Sequence, residues 1–240
     1  PLGSADVTLY RSHAMRLQYL AQDRIDLQFA SKELARDMQA PTNWSWSQLK
    51  RAVRYLHGAG RLVQQFTQQA FPDRITVYTD SDFAGCLRTR RSTSCVQIFL
   101  GAHLIKCTSK TQAVVSLSSG EAEFYAAVSG ASSSLGVRSL LADLGQTMSK
   151  PIMLRVDSTA CLGMAGRKGA GSVRHIHTPC LWIQGAVASG NIVLDKVEGT
   201  MNPADIGTKA VPQQIISRVL GQCGFKLLTG KSKIAFEAAV

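Results

Sequence analysis

The feature that most constrains the fold is a change of periodicity near residue 71, where helical spacing gives way to the alternating run "RITVYTDSDFAG". Upstream, "MRLQYLAQDRIDLQFASKELARDMQ" and "NWSWSQLKRAVRYLHG" repeat apolar residues three, four or seven positions apart, as amphipathic helices do. The sequence "FPD" at 71–73 ends that pattern, and β-branched residues follow it. We therefore predict two or three helices, a boundary near 68–73, and a second region that contains strands.

The second region alternates strands and helices. Strands are expected at about 74–82, 93–100 and 102–108, followed by a long helix at about 118–145. After it, "PIMLRVDSTACLGMAG" indicates a strand and a helix, "RHIHTPCLWIQGAVASG" a helix, "NIVLDKV" a strand, and "NPADIGTKA" the start of a last helix. Because strands and helices alternate, part of the sheet must be parallel. The pattern predicts an α/β fold.

The charge balance favours a polyanionic partner. The chain carries 27 Lys and Arg against 16 Asp and Glu, a net charge of +11, and such a surplus attracts nucleic acid. A merely basic soluble surface, or association with a membrane surface, would also explain the charge. The six cysteines are widely spaced and indicate reduced thiols. The sequence has no apolar run of about 18 residues that could span a membrane, and "PLGS" at residues 1–4 is typical of a cleaved expression tag.

Four acidic residues stand at the ends of predicted elements. Asp80 would suit a turn and Asp157 a helix N-cap, so each has a simple local explanation. Glu123 and Asp205 would be favoured near the start of a helix. If the first and fourth strands are neighbours, however, all four acids converge on one edge of the sheet, where their repulsion requires divalent cations. Carboxylates suit Mg²⁺ or Mn²⁺, and a pair of such ions supports hydrolysis of a phosphodiester.

The same segments, in the same order, resemble the ribonuclease H region of copia-type LTR retrotransposon Pol polyproteins. The resemblance rests on "YTDSDFAGCLRTRRSTSC", "SKTQAVVSLSSGEAEFYAAV", "VDSTACLGMA", "RHIHTPCLWIQ" and "VEGTMNPADIGTKA", which together span residues 74–210. The helical stretch 10–70 is similar to the C-terminal thumb or connection part of the reverse transcriptase in such a polyprotein. The sequence lacks the paired-aspartate polymerase motif, so DNA synthesis is not expected.

The resemblance implies a domain organisation and a fold. Residues 1–4 are the tag remnant, 5–70 a helical thumb- or connection-like segment, 71–212 an RNase H-like domain, and 213–240 a C-terminal tail. The implied fold is RNase H-like, with a mixed five-stranded sheet flanked by helices and preceded by a small helical subdomain. The second strand of that sheet is expected to be antiparallel to its neighbours.

The resemblance also implies the substrate and the roles of the acids. The substrate would be the RNA strand of an RNA·DNA hybrid, cut with two Mg²⁺ or Mn²⁺ ions per site. Asp80 would bridge both ions. Glu123 and Asp157 would hold the ion on the leaving-group side, and Asp205 the ion that activates water. Glu121 is the alternative to Glu123 if the register of the helix differs.

The sequence departs from the family pattern in its histidines. Cellular and retroviral relatives carry a His in the loop before the last helix, whereas "KVEGTMNP" contains none. His175 matches a position of the family, but His177 stands where an Asp is usual. The two histidines suit a structural role, a phosphate contact at the rim of the site, or zinc binding with Cys180, for which no further ligand pair is suitably spaced.

Basic residues near the predicted site are candidates for contact with the phosphates of a hybrid. A solvated basic face is the simpler explanation. The candidates, together with one serine and one histidine, are Arg88, Arg90, Arg91, Ser158, Arg167, Lys168, Arg174 and His175.

We therefore expect a metal-dependent endoribonuclease whose partner is the rest of the reverse transcriptase and Pol polyprotein. It is expected inside the cell, in a cytoplasmic virus-like particle or the nucleus, and neither secreted nor in a membrane. The main alternative is a catalytically silent or domesticated fragment that binds nucleic acid. A DNA-directed enzyme of the same fold, such as an integrase or resolvase core, is a second. The sequence gives no indication of the oligomeric state.

Overall fold

The computed structural model describes residues 2–171, 173–176 and 178–230. Its first region is helical, as predicted, with α1 at Ser4–Leu20, α2 at Gln28–Arg36 and α3 at Asn43–Gly58, followed by a short strand, β1, at Arg61–Gln64. The three helices share one apolar core because each presents its regularly spaced apolar side chains to the other two. This core consists of Tyr10, Ala14, Leu17, Ala21, Leu27, Leu34, Leu49 and Ala52.

Five strands form one mixed sheet in the second region. They lie at Ile75–Ser81 (β2), Thr93–Leu100 (β3), His103–Thr111 (β4), Ile152–Val156 (β5) and Ile192–Lys196 (β6). Their order across the sheet is β4-β3-β2-β5-β6. Strand β3 is antiparallel to β2 and β4, whereas β2, β5 and β6 run parallel. The mixed five-stranded sheet of an RNase H-like fold, with its second strand antiparallel to both neighbours, is therefore confirmed.

The long helix α4, Ser119–Asp143, packs against β2, β3 and β5. Gly130 allows its backbone to come close to the sheet, because a Cβ there would lie only 2.5 Å from Cγ2 of Thr79. Two shorter helices, α5 at Thr159–Gly166 and α6 at Trp182–Ala188, continue this layer over β6. The largest apolar core of the protein lies between these helices and the sheet.

A second apolar core lies on the opposite face of the sheet. Val96 and Ile98 of β3 belong to the first core, whereas Cys95 and Phe99 belong to the second, as the alternation of side chains along a strand requires. This second face is covered by a 3₁₀ helix at Pro203–Gly207 and by α7, at Gln213–Gln222.

A two-stranded antiparallel sheet joins the two regions, and the sequence patterns do not predict it. Strand β1 pairs with β7, at Phe225–Leu228. Helix α7 and strand β7 both lie within the segment that the resemblance assigns to the C-terminal tail. The helical region also contacts the sheet directly, since Nζ of Lys32 donates a hydrogen bond to Oγ1 of Thr93 at 2.8 Å.

Two predicted helices are shorter or tighter than expected. In "RHIHTPCLWIQGAVASG", a 3₁₀ helix at Thr178–Leu181 precedes α6, so the α-helical part is limited to Trp182–Ala188. The segment "NPADIGTKA" forms the 3₁₀ helix at Pro203–Gly207 instead of an α-helix. Among the described residues, every helix is too short or too polar to cross a membrane.

Candidate metal centre

Three carboxylates meet at one edge of the five-stranded sheet. Asp80 lies in β2 and Asp157 directly follows β5, and these parallel neighbours bring their carboxyl ends to the same edge. Glu123 lies near the start of α4, which approaches α5 so closely that a Cβ at Gly120 would lie 2.7 Å from Cβ of Ala160. One oxygen of each carboxylate lies within 4.8 Å of the others. The structure thus brings together three of the four acids that the sequence indicated.

Hydrogen bonds orient two of these carboxylates. Oγ1 of Thr208 donates to Oδ2 of Asp80 at 2.6 Å, and the backbone N–H of Ser81 donates to Oε1 of Glu123 at 3.0 Å. The second oxygen of Glu123, Oε2, is buried and has no hydrogen-bond partner among the described residues. Leaving a buried carboxylate oxygen without a partner is unfavourable. Oε2 of Glu123 is therefore available to bind a ligand.

Burial and mutual repulsion oppose full ionisation of the cluster. Burial, with added repulsion from Asp205 and Asp157, raises the pKa of Asp80 to about 6, even though the Thr208 hydrogen bond acts in the opposite direction. Burial, with added repulsion from Asp80 and Asp157, raises the pKa of Glu123 to about 9. Burial is also the main reason that the pKa of Asp157 is raised. The cluster is therefore stabilised either by protons or by a positive ion.

These residues fit a hard divalent cation. Mg²⁺ and Mn²⁺ prefer carboxylate oxygens, and the cluster offers three acidic side chains within reach of one ion. A bound cation would give Oε2 of Glu123 a partner and would oppose the burial and the added repulsion that raise the pKa values of Asp80 and Glu123. The donor set and the electrostatics agree with the predicted metal chemistry.

Asp205 lies beside this cluster rather than inside it. It occupies the 3₁₀ helix at Pro203–Gly207, and its Oδ1 lies 2.5 Å from Nζ of Lys209. Its charge nevertheless adds to the effect of burial on the pKa values of Asp80 and Asp157. Sequence reasoning identified Asp205 but missed Lys209. The available signal was their spacing of four residues, which places an acid and a base side by side on a helical turn.

Glu121 takes no part in the cluster. It is 1% exposed, and its Oε2 accepts a hydrogen bond from the backbone N–H of Leu117 at 2.9 Å. The same oxygen lies 2.8 Å from Nε2 of His175. The register of α4 therefore directs Glu123, and not Glu121, to the acidic cluster. His177, the other histidine of this segment, lies outside the described residues.

Asp82 has a different environment from Asp80, although both lie in "RITVYTDSDFAG". Oδ1 of Asp82 accepts a hydrogen bond from the backbone N–H of Thr93, and the N–H of Asp82 donates to the Thr93 carbonyl at 3.1 Å. Asp82 therefore holds the turn that follows β2, whereas Asp80 faces the other carboxylates.

The first group of basic candidates lies in the loop between β2 and β3. Arg88, Arg90 and Arg91 are all exposed. Arg88 forms an ion pair with Asp37 of the helical region, with 2.7 Å between Nη2 and Oδ1. Arg90 and Arg91 are therefore the more accessible pair for a phosphate.

The second group lies in and around the loop that follows α5. Lys168 and Arg174 are exposed there, whereas Arg167 is partly buried and donates a hydrogen bond from Nη2 to the Ala170 carbonyl. Ser158 caps α5, since its side chain accepts a hydrogen bond from the backbone N–H of Cys161 at 3.2 Å. The structure thus leaves Lys168 and Arg174 accessible to a ligand.

Comparison with known proteins identifies relatives of the chain. No protein-family model matches it. The "Retrovirus-related Pol polyprotein from transposon RE2" of Arabidopsis thaliana is 32% identical over 225 residues, which cover 90% of this chain and 15% of the relative. The corresponding polyprotein from transposon RE1 of the same plant is 30% identical over 220 residues, 91% of this chain and 15% of the relative. The chain therefore spans about 15% of the length of these relatives.

Among solved structures, LC11-RNase H1, isolated from compost by a metagenomic approach, is 17% identical and gives a TM-score of 0.39 over 62% of this chain and 99% of its own. The strand order and directions, rather than this loose superposition, define the RNase H-like fold. Over about 90% of its length the chain is thus homologous to a segment of the retrovirus-related Pol polyproteins of copia-type retrotransposons.

Proposed function

We propose that this segment is a metal-dependent ribonuclease H, which hydrolyses the RNA strand of an RNA·DNA hybrid as part of a retrotransposon reverse transcriptase. The observation that carries the proposal is the cluster of Asp80, Glu123 and Asp157 on one edge of an RNase H-like sheet. Such a cluster is a local exception in a chain with a net charge of +11. The homology of the chain to Pol polyproteins supports its proposed place within a retrotransposon reverse transcriptase.

The carboxylates would hold two divalent ions, Mg²⁺ or Mn²⁺. Asp80 would help to hold both ions, because it belongs to the cluster with Glu123 and Asp157 and Asp205 lies within electrostatic reach of it. Glu123 and Asp157 would complete the binding of the first ion, and Asp205 that of the second. When bound, the ions would lower the pKa of the attacking water and stabilise charge on the phosphate. Thr208 would keep the Asp80 carboxylate in position through its hydrogen bond.

The exposed basic residues would bind the backbone of the substrate. Arg90, Arg91, Lys168 and Arg174 are accessible, and phosphate contacts of this kind provide most of the affinity for nucleic acids. The four acids repel phosphates, so the substrate would approach them only when divalent ions are bound. Discrimination between a hybrid and duplex DNA would depend on groove shape and on contacts with 2′-hydroxyl groups.

Incubation with a hybrid labelled on either strand, in the presence of Mg²⁺ or Mn²⁺, tests the proposal. We expect the RNA strand to be cut, with 5′-phosphate and 3′-hydroxyl ends. Asp157→Asn should reduce the rate by about 100-fold or more. Asp143→Asn, which removes an exposed carboxylate at the far end of α4, is the matched control and should cleave normally. Binding without cleavage by the unmutated protein would replace the proposal with that of a silent nucleic-acid-binding fragment.

A further inference from the structure

Lys209 forms an ion pair with one of the four acids of the proposed site. Its Nζ lies 2.5 Å from Oδ1 of Asp205, four residues earlier in the chain. Burial raises the pKa values of Asp80, Glu123 and Asp157, and the charge of Lys209 acts in the opposite direction on all three. The ammonium group is therefore within electrostatic reach of all four acids proposed as metal ligands.

The Lys209 side chain also has room to leave this position. It is 57% exposed, whereas the side chain of its partner Asp205 is 17% exposed. Lys209 lines a cavity of about 950 Å³ between the helical region and the segment 206–216. An ammonium on a flexible four-carbon chain can turn into such a space without moving the backbone. Asp205, in contrast, is held by the 3₁₀ helix at Pro203–Gly207.

We propose that Lys209 is a tethered counter-cation, whose ammonium group occupies the cation position beside Asp205 and must be displaced before a divalent ion can bind there. The inference rests on the proposed function, because it concerns the second of the two ions in that site. An ammonium and a metal ion compete for the same carboxylate oxygen, so Lys209 weakens divalent binding at Asp205. When no ion is bound, the same contact offsets the repulsion between Asp205 and its acidic neighbours.

Calorimetric titration with Mn²⁺, in the absence of nucleic acid, tests this competition. We expect the unmutated protein to bind one Mn²⁺ more tightly and a second more weakly. Lys209→Gln, which removes the charge and keeps a polar side chain, should tighten the weaker site by about 3- to 10-fold. Lys209→Arg, which keeps the charge, should not tighten it. Asp205→Asn should remove the weaker site and leave the tighter one.

A second lysine provides the control for a general effect of charge. Nζ of Lys196 donates a hydrogen bond to Oγ1 of Thr159 at 3.0 Å. Burial raises the pKa of Asp157, and the charge of Lys196 has a smaller effect in the opposite direction. It therefore lies near the site without an ion pair to any of its acids. Lys196→Gln should change either Mn²⁺ affinity by less than about 2-fold, because it removes a charge but no competing contact.

Thermal unfolding separates competition from a merely structural role for Lys209. In EDTA, Lys209→Gln should lower the Tm, because Asp205 loses its counter-charge, and saturating Mn²⁺ should abolish that difference. A structural role would lower the Tm in both conditions and would count against the proposal. Unchanged or weaker Mn²⁺ binding by Lys209→Gln would overturn the proposed role of Lys209 and would leave the proposed nuclease function standing. Failure of the unmutated protein to bind any Mn²⁺ would overturn the metal site itself.

Discussion

The imidazole of His175 and the carboxylate of Glu121 lie 2.8 Å apart and join the loop after α5 to the first turn of α4. The Glu121 side chain is 2% exposed and the His175 side chain is 46% exposed, so the histidine covers a buried carboxylate. The same carboxylate also accepts a hydrogen bond from the backbone N–H of Leu117. His175 is an anchor for the loop that carries Lys168 and Arg174, the accessible basic residues on this side of the metal centre.

Replacing His175 by alanine should lower the free energy of unfolding by about 1–3 kcal/mol, because the buried carboxylate of Glu121 loses a hydrogen-bond partner. It should also weaken binding of a labelled hybrid in Mg²⁺, measured in the slow-cleaving Asp157→Asn background, since the basic loop loses its anchor. Urea unfolding and fluorescence anisotropy measure the two effects. In a double-mutant cycle with Glu121→Ala, the pair should be coupled by at least about 0.5 kcal/mol. Additive effects of the two substitutions would contradict the pairing.

Asp80 and Asp82 should respond differently to the same substitution. Asp80→Asn removes a carboxylate from the cluster and should reduce cleavage of a hybrid by about 100-fold or more. The Asp82→Asn variant should cleave at a rate within about 3-fold of the unmutated protein, because the amide oxygen can still accept a hydrogen bond from the backbone N–H of Thr93. Single-turnover cleavage assays measure both rates. Equal losses in the two variants would assign Asp82 to the metal centre as well.

Without divalent ions, the stability of the protein should fall as the pH rises. The pKa values of Asp80 and Glu123 are raised from 3.8 and 4.5 to about 6 and about 9, chiefly by burial. The folded state therefore binds protons more tightly than the unfolded chain, and the stabilisation present near about pH 4 is lost as the pH rises through about 6 to 9. Thermal unfolding in EDTA across this range measures the loss.

Two changes should remove much of this pH dependence. Mg²⁺ should restore the stability at high pH, because it replaces the protons as the positive charge in the cluster. Glu123→Gln should flatten the profile in EDTA, since the amide cannot ionise. A Tm in EDTA that does not change between about pH 5 and 9 would contradict the raised pKa values.

Gly130 should be intolerant of even one additional methyl group. A Cβ there would lie 2.5 Å from Cγ2 of Thr79 and 3.2 Å from Cγ1 of Val77, two side chains between α4 and the sheet. Gly130→Ala should therefore destabilise the protein by about 1–3 kcal/mol. Gly136 lies in the same helix with no atom within 4 Å of a Cβ, and Gly136→Ala should stabilise by about 0.5–1 kcal/mol. Urea unfolding that gives both variants the same sign would contradict this packing.

The strands of the main sheet could be predicted where apolar and polar residues alternate along the sequence. The run "RITVYTD" alternates apolar and polar residues, and β2 has the matching alternation of burial along most of its length. Strands β1 and β7 could not be predicted in this way. Each has four residues, and Phe225 is the one buried residue in the two strands, so neither shows a measurable alternation. Their pairing depends on a contact between residues far apart in the chain.

The candidate site was predictable where it depends on topology and unpredictable where it depends on side-chain contacts. Asp80 and Asp157 follow from two parallel strands that end at the same edge. The choice between Glu123 and Glu121 needed the register of α4, and the sequence alone left Glu121 as the alternative. The spacing of four residues between Asp205 and Lys209 indicates only that these two can pair, whereas the approach of Lys209 to the other three acids depends on the tertiary fold.

The pairing of β1 with β7 also brings the entry and exit of the RNase H-like unit side by side, with Arg61 opposite Leu228. A folded unit whose ends adjoin can be carried within a longer polypeptide without forcing its two flanks apart. A shortened protein that starts at residue 71 would lack β1 and would leave the backbone groups of β7 unpaired, an exposed strand edge that favours self-association. The smallest self-sufficient unit therefore starts no later than residue 61, ten residues before the change of periodicity in the sequence.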